Sequence, residues 1–240
     1  MTGLARGLVL DDKVLDVPGS DVVVRDPRAW WSWDVPTDRP DLRRRLGPSR
    51  LLGGHWTAGH PRTGPDAASR LIDAMKARRK DDDGDGVIDR DDPLADVSVH
   101  FGIAWDGAVY QLADLRWATV HMGRTVNPIS IGVETMWPGS AKQARRLGVA
   151  GRTERRRIGD RSIECLVPSP ELLAGWVALA RLLTTPQTRS IATSPPVAAR
   201  ICGVTRPPHS GALEHFMAPN TTKVDAAGYL LDELRRDGWR

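Results

Sequence analysis

Residues 97–112 hold the tightest local constraint in the chain. Val97-Ser98-Val99-His100-Phe101-Gly102-Ile103-Ala104-Trp105 alternates with the period of a strand, Asp106-Gly107 is a hairpin-turn dipeptide, and Ala108-Val109-Tyr110-Gln111-Leu112 reads as the return. An isolated hairpin cannot bury its own apolar face, so the rest of the chain must supply a wider sheet and covering layers. Two further strands are available. Arg50-Leu51-Leu52-Gly53-Gly54-His55-Trp56-Thr57 runs to a polar end, with Ala58-Gly59-His60-Pro61 turning away. Ile129 to Met136 places Ile129, Ile131 and Val133 on one side and Ser130, Gly132 and Glu134 on the other.

Helical patterns lie between and after these strands. Pro65-Asp66 opens one with Ala68, Leu71, Ile72 and Met75 on a single stripe. Pro170 to Thr184 carries Leu172, Leu173, Trp176, Leu179 and Leu182, and Asp225 to Asp237 carries Tyr229, Leu230 and Leu234. Pro195 to Val204 reads as one more helix, 138–160 as a basic surface loop or short helix, and Val22-Val23-Val24 as a short strand. The expected fold is α/β (α+β), a mixed central β-sheet flanked by helices. Residues 1–45 read as an N-terminal extension of unassigned role, whose cluster Trp30, Trp31 and Trp33 packs an arm onto the domain or, in the alternative, forms a sugar-stacking platform, and 46–240 as the domain itself.

With 240 residues, 40% hydrophobic and 27% charged, the chain can bury one substantial core. No apolar run reaches the ~18 residues of a bilayer span, so no integral membrane association is expected. Met1 to Val14 lacks an apolar h-region, which predicts synthesis in the cytoplasm and another route out for any action beyond it. Cys165 and Cys202 make no disulfide framework and read as buried thiols. The net charge of +4 is uneven: residues 81–92 carry −6, which leaves +10 on the rest. A basic body suits an anionic partner, such as a cell envelope bearing acidic polymers. Arg and Lys are scattered and no nucleic-acid motif accompanies them, so nucleic acid is not the expected partner.

The acidic stretch Asp81-Asp82-Asp83-Gly84-Asp85-Gly86-Val87-Ile88-Asp89-Arg90-Asp91-Asp92 has its own pattern. Asp81, Asp83, Asp85, Asp89 and Asp92 stand at positions 1, 3, 5, 9 and 12 of an EF-hand calcium loop. Gly86 stands at position 6, and the Val87 carbonyl supplies the contact at position 7. Asp92 is shorter than the usual bidentate Glu, and Pro93 opposes an exiting helix. The loop is read as a structural calcium site.

Near the carboxyl end, Glu214-His215-Phe216-Met217-Ala218-Pro219-Asn220-Thr221-Thr222-Lys223-Val224-Asp225 brings an imidazole, an ammonium and a carboxylate within one loop. A nitrogen and an oxygen donor so placed form half of a zinc site, and a third ligand is on offer at His55. His60, His100 and His209 read as surface or packing residues. Glu134, at a strand end, is a paired surface residue in one setting and a base in a cleft in another.

Four stretches in order resemble the zinc-dependent N-acetylmuramoyl-L-alanine amidases of the amidase-2 type, which share the peptidoglycan-recognition-protein fold. They are His55-Trp56-Thr57-Ala58-Gly59; Ser98-Val99-His100-Phe101 with Asp106-Gly107; His121-Met122-Gly123, Asn127 and Ser130-Ile131-Gly132-Val133-Glu134; and His215 with Lys223 and Asp225. The resemblance covers about Leu51 to Gly228 and implies a single domain of that fold, with 76–95 inserted. It implies that His55, His215 and Asp225 hold zinc, leaving a fourth position for water. Zinc would bring that water's pKa towards ~7 and polarise the scissile carbonyl. Glu134 falls at the general-base position, Lys223 at the oxyanion-stabilising position, and His121 and Asn127 along the substrate groove. Val120 stands where many relatives have Trp, and Val99 where some have Tyr, which leaves proton handling to Glu134.

The implied reaction is hydrolysis of the amide between N-acetylmuramic acid and the L-alanine of the stem peptide. The implied partner is peptidoglycan or a muropeptide, acted on by a monomer. Wall lysis of the endolysin kind, after release from the cytoplasm, is the favoured role. A cytosolic muropeptide-recycling amidase and a non-catalytic peptidoglycan-binding module are the alternatives. Calcium should raise the melting temperature; identical melts in calcium and in chelator would remove the calcium reading of 81–92.

Overall fold

The structure, a computed structural model, describes residues 5–6, 8–10, 13–15, 23–24, 49–64, 66–76, 98–113, 115, 118–123, 126–158, 160–184, 211–214, 217 and 225–240. The strands are β1 (Ala5–Arg6), β2 (Leu8–Leu10), β3 (Lys13–Leu15), β4 (Val23–Val24), β5 (Leu51–Trp56), β6 (Phe101–Ile103), β7 (Val109–Gln111), β8 (Ser130–Thr135), β9 (Thr153–Ile158), β10 (Arg161–Leu166) and β11 (Gly211–Glu214). The helices are α1 (Ala67–Lys76), α2 (Ala141–Arg146), α3 (Pro170–Thr184) and α4 (Tyr229–Arg236).

Among the described residues seven strands form the central sheet, in the order β1-β4-β7-β6-β8-β5-β11. The β6–β7 and β1–β4 pairs are antiparallel, while β4–β7, β6–β8, β5–β8 and β5–β11 are parallel, so the sheet is mixed. The Asp106-Gly107 hairpin forms as its sequence dictates, with Gly107 at φ +82°. Its strands are shorter than the alternation, because backbone pairing ends where the chain leaves for its neighbours.

β5 is buried along almost its whole length, as an interior parallel strand must be. Its two glycines serve opposite faces. A Cβ on Gly54 would lie 2.6 Å from Leu230 and 3.3 Å from Trp176, so this face receives α4 and α3. A Cβ on Gly53 would lie 2.8 Å from Met122 and 3.1 Å from His121 on the other face. On that second face α1 covers the hairpin: Leu71 sits over Gly102, and Ala68, Leu71, Ile72 and Met75 are all buried. The main core fills the α3–α4 side, with Trp176 donating its Nε1–H to the Leu230 carbonyl at 2.9 Å. Among the described residues no helix is long and apolar enough to cross a membrane.

The segment read as a basic loop or short helix holds more structure than its sequence indicates. It contains α2, capped by the Ser140 hydroxyl accepting from the Gln143 N–H, and the antiparallel hairpin β9–β10. β9, Thr-Glu-Arg-Arg-Arg-Ile, has no apolar alternation because its inward positions are Glu154, Arg156 and Ile158. Arg156 turns inward to the Ala227 carbonyl, Asp232 and the Tyr229 ring, so a charged residue occupies an inward position and strand periodicity fails to reveal it. The N-terminal residues also contribute more than Val22–Val24: β1 and β4 extend the edge of the central sheet, and β2–β3 pair separately. The proposed helix at 195–204, the tryptophan cluster, Cys202 and the acidic loop 81–92 lie outside the described residues.

Cys165, on β10, is a free and fully buried thiol, and burial pushes it up to about 12. At pH 8 roughly one thiol in 10,000 would then be ionised. Iodoacetamide should leave the Cys165 peptide unmodified in native protein and label it after denaturation, as read by peptide mass spectrometry.

Candidate active site

The parallel placement of β5 between β8 and β11 assembles the site. His55, near the end of β5, is in register with Glu134 on β8. Register partners on neighbouring strands lie about 4.8 Å apart and face the same way. Both are buried, at 4% and 6% exposure. On the other flank Glu214, the residue before His215, pairs with Gly54, the residue before His55.

Asp225 approaches from the turn 225–228 that precedes α4. It is 7% exposed, and its Oδ2 lies 3.3 Å from His55 Nδ1. Two clamps hold this turn. From inside, the fully buried Glu214 carboxylate accepts the Gly228 N–H at 2.5 Å and the Leu231 N–H at 3.0 Å, satisfying the first turn of α4. Burial pushes this carboxyl up to about 7, against the pull of those N–H groups. From outside, Arg156 donates to the Ala227 carbonyl at 3.1 Å, pairs with Asp232, and stacks 4.4 Å over the Tyr229 ring.

Among the described residues, Ala58 (φ +53°) and Ala227 (φ +60°) are the non-glycine residues with left-handed backbone. One follows the His55 strand and the other follows Asp225. Each has its carbonyl held by a long side chain: Gln143 Nε2 donates to Ala58 O at 2.7 Å, as Arg156 does to Ala227 O. α2 and the β9–β10 hairpin thus pin both loops of the site in conformations that cost about 1–2 kcal/mol per residue.

His121 and Asn127, expected along the groove, lie beneath His55. His121 Nδ1 is 2.9 Å from His55 Nε2, and the rings meet edge to face at 5.2 Å. Asn127 is buried, and its Oδ1 accepts the His121 and Met122 N–H groups at 3.1 and 2.8 Å. His100 is a buried packing residue whose Nδ1 accepts the Gly132 N–H at 3.0 Å. His215, Lys223, His209 and the calcium residues Asp81, Asp83, Asp85, Val87, Asp89 and Asp92 lie outside the described residues.

The residues present fit a zinc ion by their chemistry. Two donors bonded at about 2.1 Å to one tetrahedral ion sit about 3.4 Å apart, and His55 Nδ1 and Asp225 Oδ2 are 3.3 Å apart. One is an imidazole nitrogen, the other a buried carboxylate, the mixed set zinc accepts. Among the described residues no cluster of three His, Cys, Asp or Glu side chains converges as a metal site, so a third ligand has to come from elsewhere. The clamping residues Glu214 and Arg156 were not singled out from sequence. For Glu214 a signal existed, a carboxylate closing the apolar run Ala212-Leu213 where a buried strand ends.

Replacing Arg156 with Met removes a charge-assisted clamp from a partly exposed site. This should lower stability by about 1–2 kcal/mol, read as a fall of roughly 2–8 °C in Tm.

The family Amidase_2, N-acetylmuramoyl-L-alanine amidase, matches residues 47–184, more than half of the chain. No curated protein matches it in sequence. Among solved structures it is similar to the N-acetylmuramoyl-L-alanine amidase LysC from Clostridium intestinale, with 12% identity, TM-score 0.42, and coverage of 80% of this chain and 85% of that one. It is similar to Drosophila PGRP-LB, at 16% identity, TM-score 0.46 and coverage of 80% and 82%. It is also similar to human PGRP-IBETAC in complex with glycosamyl muramyl pentapeptide, at 15% identity, TM-score 0.45 and coverage of 79% and 84%. With more than half its length matched and a mixed sheet flanked by helices, this chain belongs to the Amidase_2 family of N-acetylmuramoyl-L-alanine amidases.

Proposed function

We propose that this protein is a zinc-dependent peptidoglycan hydrolase that cleaves the amide between N-acetylmuramic acid and the L-alanine of the stem peptide, in a wall-lytic role. The observation carrying the reading is the facing pair His55 and Asp225, with Glu134 in register beside His55. His55 and Asp225, with His215 by resemblance, would hold the ion. When bound, zinc supplies Lewis acidity that acidifies a water and polarises the scissile carbonyl.

The chain's own residues would do the rest. Glu134, buried on the same face as His55, orients the attacking water through a carboxylate oxygen, takes its proton and returns it to the departing amine. Lys223, by resemblance, would stabilise the oxyanion with its ammonium. The clamps on Ala58 and Ala227 hold the loops on either side of the reacting centre, which lowers the entropy cost of reaching reactive geometry. The basic balance of the chain, +4 overall, suits approach to an anionic wall.

The experiment is digestion of purified sacculi and of soluble muropeptides by zinc-loaded protein, with products identified by mass spectrometry. Expected products are stem peptides with a free L-alanine amino terminus, released from sacculi and lost in folded His55→Ala. Equal, negligible release by wild type and His55→Ala, with sacculus binding retained, would make the protein a binding module instead. Cleavage confined to soluble muropeptides would make it a recycling enzyme.

A further inference from the structure

We infer that His121 is a positioning residue that fixes the tautomer of His55 through a relay running from the backbone of Val126 to His55 Nδ1, the nitrogen that faces Asp225. The inference rests on the zinc amidase reading and goes beyond it.

The relay follows from counting hydrogens. The Ser130 hydroxyl has one proton and donates it to the Val126 carbonyl at 2.7 Å. Ser130 Oγ also lies 2.8 Å from His121 Nε2, so it accepts there, and Nε2 carries the proton of His121. A neutral imidazole has one N–H, which leaves His121 Nδ1 as an acceptor. His55 Nε2 must therefore donate across the 2.9 Å to His121 Nδ1. By the same count His55 Nδ1 keeps its lone pair, and that is the nitrogen 3.3 Å from Asp225 Oδ2. A lone pair and a carboxylate repel at this distance unless a proton or a metal cation lies between them, so the relay leaves His55 Nδ1 as the donor a metal would need.

The sheet is shaped to hold His121 in this pose. Gly53 on β5 and Gly132 on β8 are register partners. A Cβ on Gly132 would lie 2.7 to 2.9 Å from three atoms of the His121 ring, and one on Gly53 would lie 3.1 Å from it. The paired glycines form a floor on which the imidazole rests. The Asn127 side chain holds the backbone of His121 and Met122 from beneath. Both ring nitrogens have protein partners and the residue is buried, a setting for aiming His55 rather than for touching substrate.

The test is zinc affinity of the purified protein by competition with a chromophoric chelator, paired with muropeptide kinetics at saturating zinc. Ser130→Ala, which removes the acceptor at nearly constant shape, and His121→Leu should each weaken zinc binding about 10- to 100-fold with KM unchanged. His121→Asn, which can keep an acceptor near the Nδ1 position, should stay within about threefold of wild type. Gly132→Ala, which lifts the ring from its floor, should reproduce the loss, and melting curves verify that each variant is folded. Long-range proton–nitrogen NMR should show wild-type His121 protonated on Nε2. Unchanged zinc affinity with raised KM in the His121 and Ser130 variants, or His121 protonated on Nδ1, overturns the relay alone. A wild-type protein that binds no zinc overturns the amidase reading and the relay with it.

Discussion

The parallel register of β5 between β8 and β11 is the constraint on which the site depends. Side chains alternate along a strand, so a slip of one residue would turn His55 from the face of Glu134, Gly132 and His121 to the face filled by Trp176 and Leu230. The register is locked from both sides by close packing against glycine. Gly53 admits Met122 on one face and Gly54 admits Leu230 on the other, where a Cβ would lie 2.8 and 2.6 Å from them, and His121 would lie 3.1 Å from a Cβ on Gly53. The same pair of residues therefore sets the depth of the core and the position of the candidate metal ligand.

A second layer lies outside the sheet. α2 and the β9–β10 hairpin join the main core through Ala144, Cys165 and Leu166, and two of their polar side chains hold the left-handed alanines that flank the site. The magnitudes are compatible. A left-handed alanine costs about 1–2 kcal/mol, and the bond that holds it returns about 0.5–1.5 kcal/mol from the neutral Gln143 amide and about 1.5–3 kcal/mol from the charged Arg156 when well shielded. Partial exposure of Arg156 trims that return, and its contacts with Asp232 and Tyr229 add to it. Glu214 completes the arrangement from within. It ties the end of β11 to the start of α4, so the strand leading to His215 and the turn presenting Asp225 move as one piece.

The buried histidines His55, His100 and His121 divide by what their nitrogens meet. His100 accepts the Gly132 N–H at Nδ1, with the Thr119 hydroxyl 3.0 Å from the same nitrogen, and stays within the sheet's packing. His121 links Ser130 to His55, and His55 faces Asp225. Burial places all three where water competes weakly, so each hydrogen bond is electrostatically stronger than at the surface. The order runs from a backbone carbonyl outward to a carboxylate, which makes the site part of the hydrogen-bonded scaffold.

Much of this was legible without the fold. Period-two alternation with Asp106-Gly107 marked the hairpin, 3.6-residue spacing marked α1, α3 and α4, and Ser130, Gly132 and Glu134 were correctly set on the face opposite Ile131 and Val133. These are local properties, carried by backbone sterics and by apolar spacing along one segment. His55 and Asp225 were offered as metal donors by residue type and Glu134 as one reading of a strand-end carboxylate, the family resemblance gave them roles, and only tertiary packing brings His55 and Glu134 into register and Asp225 within 3.3 Å of His55. The hairpin at 153–166 and the work of Glu214, Arg156, Ser130 and His121 were not readable. Their partners lie far along the chain or on other elements, and a polar group's role depends on which acceptor the fold sets before it. Sequence by itself determined which segments would be strands and helices and which residue types the chemistry needs. The structure alone decided which of those residues face each other, because hydrogen-bond direction and donor spacing exist only once distant segments are packed.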